Sequence, residues 1–352
     1  MARPVKPTRD AHNRHRPAAA RPKLKDVAAA CGVSIGTVSR VLNRDESFSA
    51  RDEVRQRILN AAEQLGYAPD LAARNLNRGA TQIIGVFGDP KTHIGEGIND
   101  AVFEGISEAV RSQDYDVFFD VTSKHPTSRK LPFWRFDGAI LIQSPLPEVV
   151  EELDRRHVPY VSVNETVGTP IASVLADDVM GATHIMEHLA GLGHRKIAYA
   201  NAAKGYFKHY SVPDRHNTIL AFCKEYDLEL TPGHDEDFLS ADQFLRRAVI
   251  DHGATAVLAY DHRIVVRILG TAYRLGLAVP QDFSLACFND EFPVAELYPP
   301  ITVVSVSGKA MGRTAAGILL DALRDSQPPD RHNTLRLEEK LVVRASTAAP
   351  RG

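Results

Sequence analysis

The chain has 352 residues, 44% hydrophobic and 24% charged, enough apolar material for more than one buried core. Its net charge of −2 conceals an imbalance: residues 1–80 hold 15 Lys and Arg against 8 Asp and Glu, and the remainder holds 27 against 36. A basic head on an acidic body fits a polyanionic partner for the head alone. The three cysteines, Cys31, Cys223 and Cys287, lie far apart with no C-x-x-C between them, which argues against a zinc ribbon or a redox pair.

Buried free thiols in a reducing cytoplasm are the expected state of these cysteines. No apolar run approaches the ~18 residues that span a bilayer. The N-terminus carries charge without an apolar h-region, so neither a secretory signal nor a membrane partner is expected.

Residues 1–21, "MARPVKPTRDAHNRHRPAAAR", show no apolar period and predict a disordered basic arm. Residues 22–66 predict three short helices. "LKDVAAACG" places Leu24, Val27, Ala28 and Cys31 on one face and stops at Gly32. Ser34 caps the second helix through its hydroxyl, and Val38, Val41 and Leu42 form its inner face. Ser49 is expected to cap the third, with Val54, Ile58, Ala61 and Leu65 inward and Gly66 as its stop. Helix, short Gly-containing turn and helix make the helix-turn-helix pattern. "YAPDLAARNLNRG", within residues 67–80, predicts a hinge of about two helical turns, too short to be stable alone.

From Gln82 the pattern changes to apolar β-runs alternating with helices: "QIIGVFG", "YDVFFDV", "DGAILIQ", "PYVSV", "KIAYA", "TAVLAYD" and "FSLACFND". Such runs imply parallel sheets covered on both faces. Their length exceeds one sheet, so the body should form two lobes. Open α/β sheets bind ligands at the carboxyl ends of their strands, and two lobes would turn those ends toward a shared cleft.

Taken together, "LKDVAAACGVSIGTVSRVLN", "VRQRILNAAEQLGYAPDLAARNLNRG", "IIGVF", "RFDGAIL", "DDVMGATHIMEHLAGLGHRKIAY" and "LGLAVPQDFSLACFNDEFPVAELYPPITVV" resemble the LacI/GalR family of bacterial transcription regulators. The resemblance spans residues 23–345. It implies an α-helical helix-turn-helix head on an α/β, two-lobed, periplasmic-binding-protein-like core. It also implies a homodimer on a double-stranded DNA operator and a small-molecule effector, a sugar or related metabolite, between the lobes. The base-reading positions match Ile35, Gly36 and Arg40. Arginine suits a bidentate bond to guanine, Ile35 offers apolar contact, and Gly36 offers almost nothing. Ser34, Thr37, Ser39 and Asn43 match phosphate-contacting positions. Lys23 stands where relatives carry a capping Thr or Ser. Ala73 and Leu76 match hinge residues that enter the minor groove, the leucine as a wedge.

In the body, the resemblance places effector contacts at Arg215, Asn289, Asp261 and Asp89. Such side chains orient several directed hydrogen bonds toward vicinal hydroxyls. Trp134 offers a stacking surface for a sugar face. Chain crossings between the lobes are expected near Gly193–Lys196, near Val306 and near residues 327–334. The N-lobe is then about 81–194 and 307–327 and the C-lobe about 195–306 and 333–345, with a tail over 346–352.

No catalytic set, metal site or cofactor is predicted. His184 and His188 in "HIMEH" have i,i+4 spacing without the glutamate of a zinc protease. "GEGIND" lacks the third glycine of a dinucleotide loop, and no nucleophile elbow or Walker loop occurs. A sugar-binding receptor without a regulatory role is the alternative for the body, and the head argues against it.

Overall fold

The computed structural model describes residues 22–43, 48–67, 80–88, 97–120, 136–143, 147–202, 209–324 and 333–351. The arm 1–21, most of the hinge with Ala73 and Leu76, Asp89 and Trp134 lie outside them. The chain divides into two compact units, Met1–Gly79 and Ala80–Gly352.

The first unit holds α1 (Leu24–Cys31), α2 (Ile35–Leu42) and α3 (Asp52–Leu65). Val27, Ala28, Cys31, Val38, Val41, Ile58 and Ala62 form its core, with Leu24, Leu42, Val54 and Ala61 packed against it. Gly32 ends α1 in the left-handed region (φ 62°), and the Val33 N–H returns to the Ala28 carbonyl. Ser34 caps α2 as expected, its Oγ accepting from the Thr37 N–H at 3.1 Å. Two expectations fail. The residue that caps α3 is Arg51, without a side-chain bond, so Ser49 has no such role; Asp52 and Glu53 in the first turn complement the helix dipole instead. Leu65 is exposed and Ala62 takes the inward place, because the inner stripe follows Ile58 by four residues.

The second unit contains two six-stranded sheets. In chain order come β1 (Ile83–Gly88), α4 (Ile98–Arg111), β2 (Asp116–Asp120), β3 (Gly138–Ile142), α5 (Pro147–Arg156), β4 (Tyr160–Val163) and β5 (Ala172–Ala176). Next are α6 (Asp178–Gly191), β6 (Lys196–Ala200), α7 (Ser211–Glu225), β7 (Glu229–Leu230), α8 (Ala241–Leu245, continued by a π-turn over Arg246–Asp251) and β8 (Ala256–Ala259). Last come α9 (His262–Leu275), β9 (Ser284–Phe288), β10 (Thr302–Ser305), α10 (Gly308–Arg324), β11 (Asn333–Leu337) and β12 (Lys340–Val342). The first sheet is parallel throughout, in the order β11-β5-β4-β3-β1-β2. The second runs β12-β10-β9-β8-β6-β7, with only β12 antiparallel.

Two of the three expected crossings move. Ala182, Ile185, Met186 and Leu189 of α6 pack into the second lobe's core. The chain therefore leaves the first lobe at Asp177, before α6, and not at Gly193–Lys196. Met311, Ala315 and Leu319 of α10 pack into the first lobe's core, so the second crossing falls at residues 306–307, as expected at Val306. β11 pairs in parallel with β5, Leu335 opposite Val174, while β12 pairs with β10. Residues 333–337 thus belong to the first lobe, and the third crossing is at 338–339, not at 327–334. Nor is 346–352 wholly a tail. The Ser346 hydroxyl, fully buried, donates to the Leu285 carbonyl (2.6 Å) and accepts from the Thr302 N–H (2.8 Å).

α4 and α10 pack at glycine-to-backbone distance. A Cβ on Gly312 would lie 2.0 Å from the Val102 carbonyl oxygen, and one on Gly105 2.1 Å from that of Lys309. Glycine at both positions is therefore a condition of the first lobe's closure.

Candidate functional site

On the head, α2 turns Val38 and Val41 inward and presents Ile35, Gly36 and Arg40 to solvent. Nothing in the fold demands a glycine at 36, where a Cβ would meet only Ser34 Oγ at 3.8 Å. The Arg40 guanidinium sits 5.1 Å from the centroid of the Phe48 ring, which aims it without occupying its hydrogen-bond donors. Phe48 was not among the residues read from the sequence. Ser34 and Thr37 share a hydroxyl–hydroxyl bond (2.9 Å), and the Asn43 amide donates to Ser39 Oγ (3.2 Å). At Lys23 the cap is half made: its backbone N–H donates to the Asp26 carboxylate at 2.7 Å.

In the body, a cleft of about 310 Å³ is lined from both lobes. Three of its residues follow parallel strands directly: Gln143 after β3, Asn164 after β4 and Asn289 after β9. All three have positive φ (30°, 57° and 70°). Their backbone N–H groups still continue the sheets, donating to the carbonyls of Val163, Val174 and Val304. The last ladder bond is kept while the left-handed turn aims each amide into the cleft, a conformation that asparagine tolerates better than most residues. A polar amide directly after a continuous apolar run is the signal that the sequence offers for all three; the resemblance alone pointed to Asn289.

Of the expected effector residues inside the described region, Arg215, Asp261 and Asn289 all line the cleft. All three are already engaged within the protein. Arg215 is 4% exposed. Its Nε donates to Asp178 Oδ1 (2.5 Å), Nη1 to the Tyr260 carbonyl (2.8 Å) and Nη2 to Asn289 Oδ1 (3.3 Å). Its guanidinium stacks over Phe288 (4.2 Å) and Tyr260 (4.9 Å). Burial works against its charge, and the adjoining Asp178 carboxylate is the strongest influence that favours it. Asp261 caps α9, accepting from the Ile264 N–H (2.9 Å), and pairs with Arg263 (2.7 Å). Asp290 pairs with Arg344 (2.8 Å) instead of facing the cleft. His188 meets Thr347 (3.0 Å), which accounts for it structurally.

Asn99, Gln143, Asn164, Asp178, His209 and Tyr260 line the cleft as well, beyond the residues expected from the sequence. Asn99 donates to Gln143 Oε1 (2.9 Å), leaving its buried Oδ1 without a protein partner. A hydrogen-bond chain joins the lobes across the cleft. His209 Nε2 faces the Asn164 carbonyl (2.8 Å), which can only accept, so Nε2 carries the proton. Nδ1 then accepts from Ser211 (2.7 Å), and Ser211 Oγ accepts from the Tyr260 hydroxyl (2.7 Å). Burial lowers the His209 pKa and favours this neutral tautomer. Tyr210 reinforces the bridge, its hydroxyl accepting from the Ala176 N–H (3.0 Å) and donating to Asn164 Oδ1 (3.2 Å). Among the described residues, no group of three or more His, Cys, Asp or Glu could hold a metal ion.

A three-helix head with a polar-rimmed exposed helix, followed by two parallel-sheet lobes that cross three times and face a hydrogen-bonding cleft, defines a DNA-binding head on a periplasmic-binding-protein-like body. Sequence comparison gives the same division. A model described as "Bacterial regulatory proteins, lacI family" matches residues 23–70, and one described as "Periplasmic binding protein-like domain" matches residues 186–347. The head is thus similar to the lacI family of bacterial regulatory proteins and the body to periplasmic-binding-protein-like domains.

It is 29% identical over 343 residues to the HTH-type transcriptional repressor MelR of Bacillus subtilis (strain 168), covering 92% of this chain and 97% of MelR. It is 26% identical to the transcriptional repressor PurR of Vibrio vulnificus (strain CMCP6), covering 91% and 97%. Among solved structures, a Lac repressor dimer bound to operator and the anti-inducer ONPF matches with a TM-score of 0.75 at 21% identity, covering 93% of this chain and 99% of that one. A complex of the regulator CelR with cellobiose matches at 0.62 and 23%, covering 93% and 100%. At these identities the two structures establish the fold. Among the described residues, no helix is long and apolar enough to cross a membrane.

Proposed function

We propose that the protein is an effector-responsive transcriptional repressor that binds a near-palindromic operator as a homodimer and a sugar or similar polyhydroxylated metabolite between its lobes. The observation that carries this reading is the convergence of Gln143, Asn164 and Asn289 with the Arg215–Asp178 pair in one cleft built from both lobes. Amides that both donate and accept, placed on rigid strand ends, suit a ligand with many hydroxyls. The head supplies the DNA side. Arg40 and Ile35 read base edges, Gly36 permits close approach, and Ser34, Thr37, Ser39 and Asn43 engage phosphates. Ala73 and Leu76 enter from the sequence alone, as the minor-groove pair of the hinge. The solved complexes of similar chains, one with operator and one with cellobiose, support both halves.

Two measurements test the reading. Selection of bound fragments from random genomic DNA should yield a two-fold symmetric site; no sequence preference would reject it. A thermal-shift screen of monosaccharides, oligosaccharides and nucleobases should raise the unfolding midpoint for a sugar, and the same sugar should change operator affinity. A nucleobase as the sole hit would overturn the sugar reading while leaving the regulator reading in place.

A further inference from the structure

Glu339 lies in the third crossing and is fully buried. Neither of its carboxyl oxygens has a hydrogen-bond partner, and Asp178 Oδ2 beside it also lacks one. Glu339 Oε1 is 4.0 Å from Arg215 Nη2, while the Arg215 Nε is committed to Asp178. Gly181 on α6 gives the carboxyl its space, since a Cβ there would fall 1.7 Å from Oε2. Three acceptor oxygens therefore surround one guanidinium in a place without solvent. Two buried carboxylates beside a single cation leave a net charge that burial strongly opposes. The economical solution is a proton on one of them. That proton would turn an acceptor into a donor and satisfy at least one of the unpartnered oxygens.

The position gives the pair its consequence. Asp178 opens α6 at the first crossing, Val306 in the second lines the same cleft, and Glu339 is in the third. The Asp177 N–H donates to the Leu337 carbonyl (2.9 Å), tying the first crossing to the third. We propose that Glu339 is a positioning residue of the cleft: as the neutral acid it holds the Arg215–Asp178 pair where the lobe crossings converge, and its ionisation loosens those crossings. This rests on the cleft being the effector site only in so far as Arg215 and Asp178 contact the effector.

The charged and titratable groups facing Glu339 are Asp177 and Asp178 at the start of α6, Arg215 on α7, and Tyr210 just before α7. Burial, with the charge of Asp178 adding, raises the carboxyl to about 8, and Arg215 opposes the rise. A carboxyl whose folded value exceeds its unfolded value contributes stability at low pH and loses it as pH rises toward the folded value. The window is thus from about 4.5 to about 8.

The test uses the full chain. Thermal unfolding from about pH 6 to 9 should show wild type falling behind Glu339→Gln as pH rises, with the gap opening by several degrees; parallel curves overturn the proposal. Infrared spectra of wild type alone should contain a protonated carboxylic-acid band at neutral pH that fades above about pH 8. Its absence at neutral pH overturns the proposal whether or not the variant folds. Hydrogen exchange at about pH 8.5 should be faster in wild type than in Glu339→Gln for peptides over residues 176–181 and 338–341, and equal for α3. Equal exchange at the crossings would remove the positioning role. None of these readouts needs an effector, so a cleft that binds no sugar would reject the proposed function and leave this inference standing.

Discussion

Replacing Arg215 with methionine separates two roles that one residue can hold, arm of the ligand site and strut of the fold. Methionine keeps much of the apolar contact with Phe288 and Tyr260 but removes the cation. Asp178 then loses its partner at 1% side-chain exposure, and Glu339 loses its neighbouring charge. Removing one member of a buried pair costs ~3–5 kcal/mol, mostly through the uncompensated charge left behind. The lost bond to the Tyr260 carbonyl adds ~1 kcal/mol. A deficit of about 4–6 kcal/mol is a large share of the ~5–15 kcal/mol that a folded domain typically has. Urea unfolding followed by circular dichroism at neutral pH measures it. Adding Asp178→Asn to Arg215→Met should recover about half, since the amide leaves no orphaned charge. A deficit under ~1 kcal/mol, with effector binding abolished and no recovery in the double variant, would refute the strut and leave only the arm.

Arg40→Ala should cost ~1–3 kcal/mol of operator binding and relax preference at one base pair per half-site, read from a panel of single-substitution operators; unchanged specificity would remove Arg40 from the base-reading set. On α10, Gly312→Ala should destabilise by about 2 kcal/mol, because backbone atoms of Val102 at 2.0 and 2.8 Å cannot yield and over-packing outweighs the gain in helix propensity. Gly317→Ala on the same helix meets nothing within 4 Å and should stabilise by about 1 kcal/mol; matching signs in the two melts would contradict the packing account. His194, whose Nε2 lies 3.0 Å from both Ser284 Oγ and the Ala348 carbonyl, has its pKa lowered by burial. The unfolded chain therefore takes up its proton first, and the stability it contributes is lost as pH falls below about 6.5; His194→Gln should flatten the acid side of a midpoint-against-pH profile.

The head was legible because its signals are local. Ser34 stands one residue before an apolar stripe, and Gly32 and Gly66 sit where left-handed caps are needed. Ser49 misled because it too precedes an amphipathic run, and a cap depends on the path of the chain two residues further on. The lobes were legible as a class from their apolar strands. Their membership was not, because an amphipathic helix such as α6 shows that it has an inner face without showing which sheet that face meets. The third crossing failed for the same reason. "TLRLEEKLVV" reads as strand, polar pair and strand, and nothing local assigns the two strands to different sheets. Pairing is settled by partners outside the local stretch, Val174 for Leu335 and Val304 for Leu341.

The corrected crossings change what the cleft can transmit. Had the chain left the first lobe at Gly193–Lys196, α6 would have moved with that lobe, and its Asp178 would have been one wall of a passive site. With α6 in the second lobe, Asp178 sits immediately after a crossing and shares Arg215 with a carboxyl from another crossing. A ligand that bonds Asp178 or Arg215 therefore acts on the joints between the lobes as well as on their facing surfaces. The His209–Asn164 and Tyr210–Ala176 bonds resist relative motion at the same level of the cleft. A ligand hydroxyl that competes with Tyr210 for Asn164 Oδ1 while bonding Arg215 would weaken one inter-lobe bond and act on the joint that Arg215 shares with Asp178 and Glu339. Differential contact of that kind is what a ligand needs to shift the balance between two lobe arrangements; equal affinity for both would shift nothing, however tight the binding.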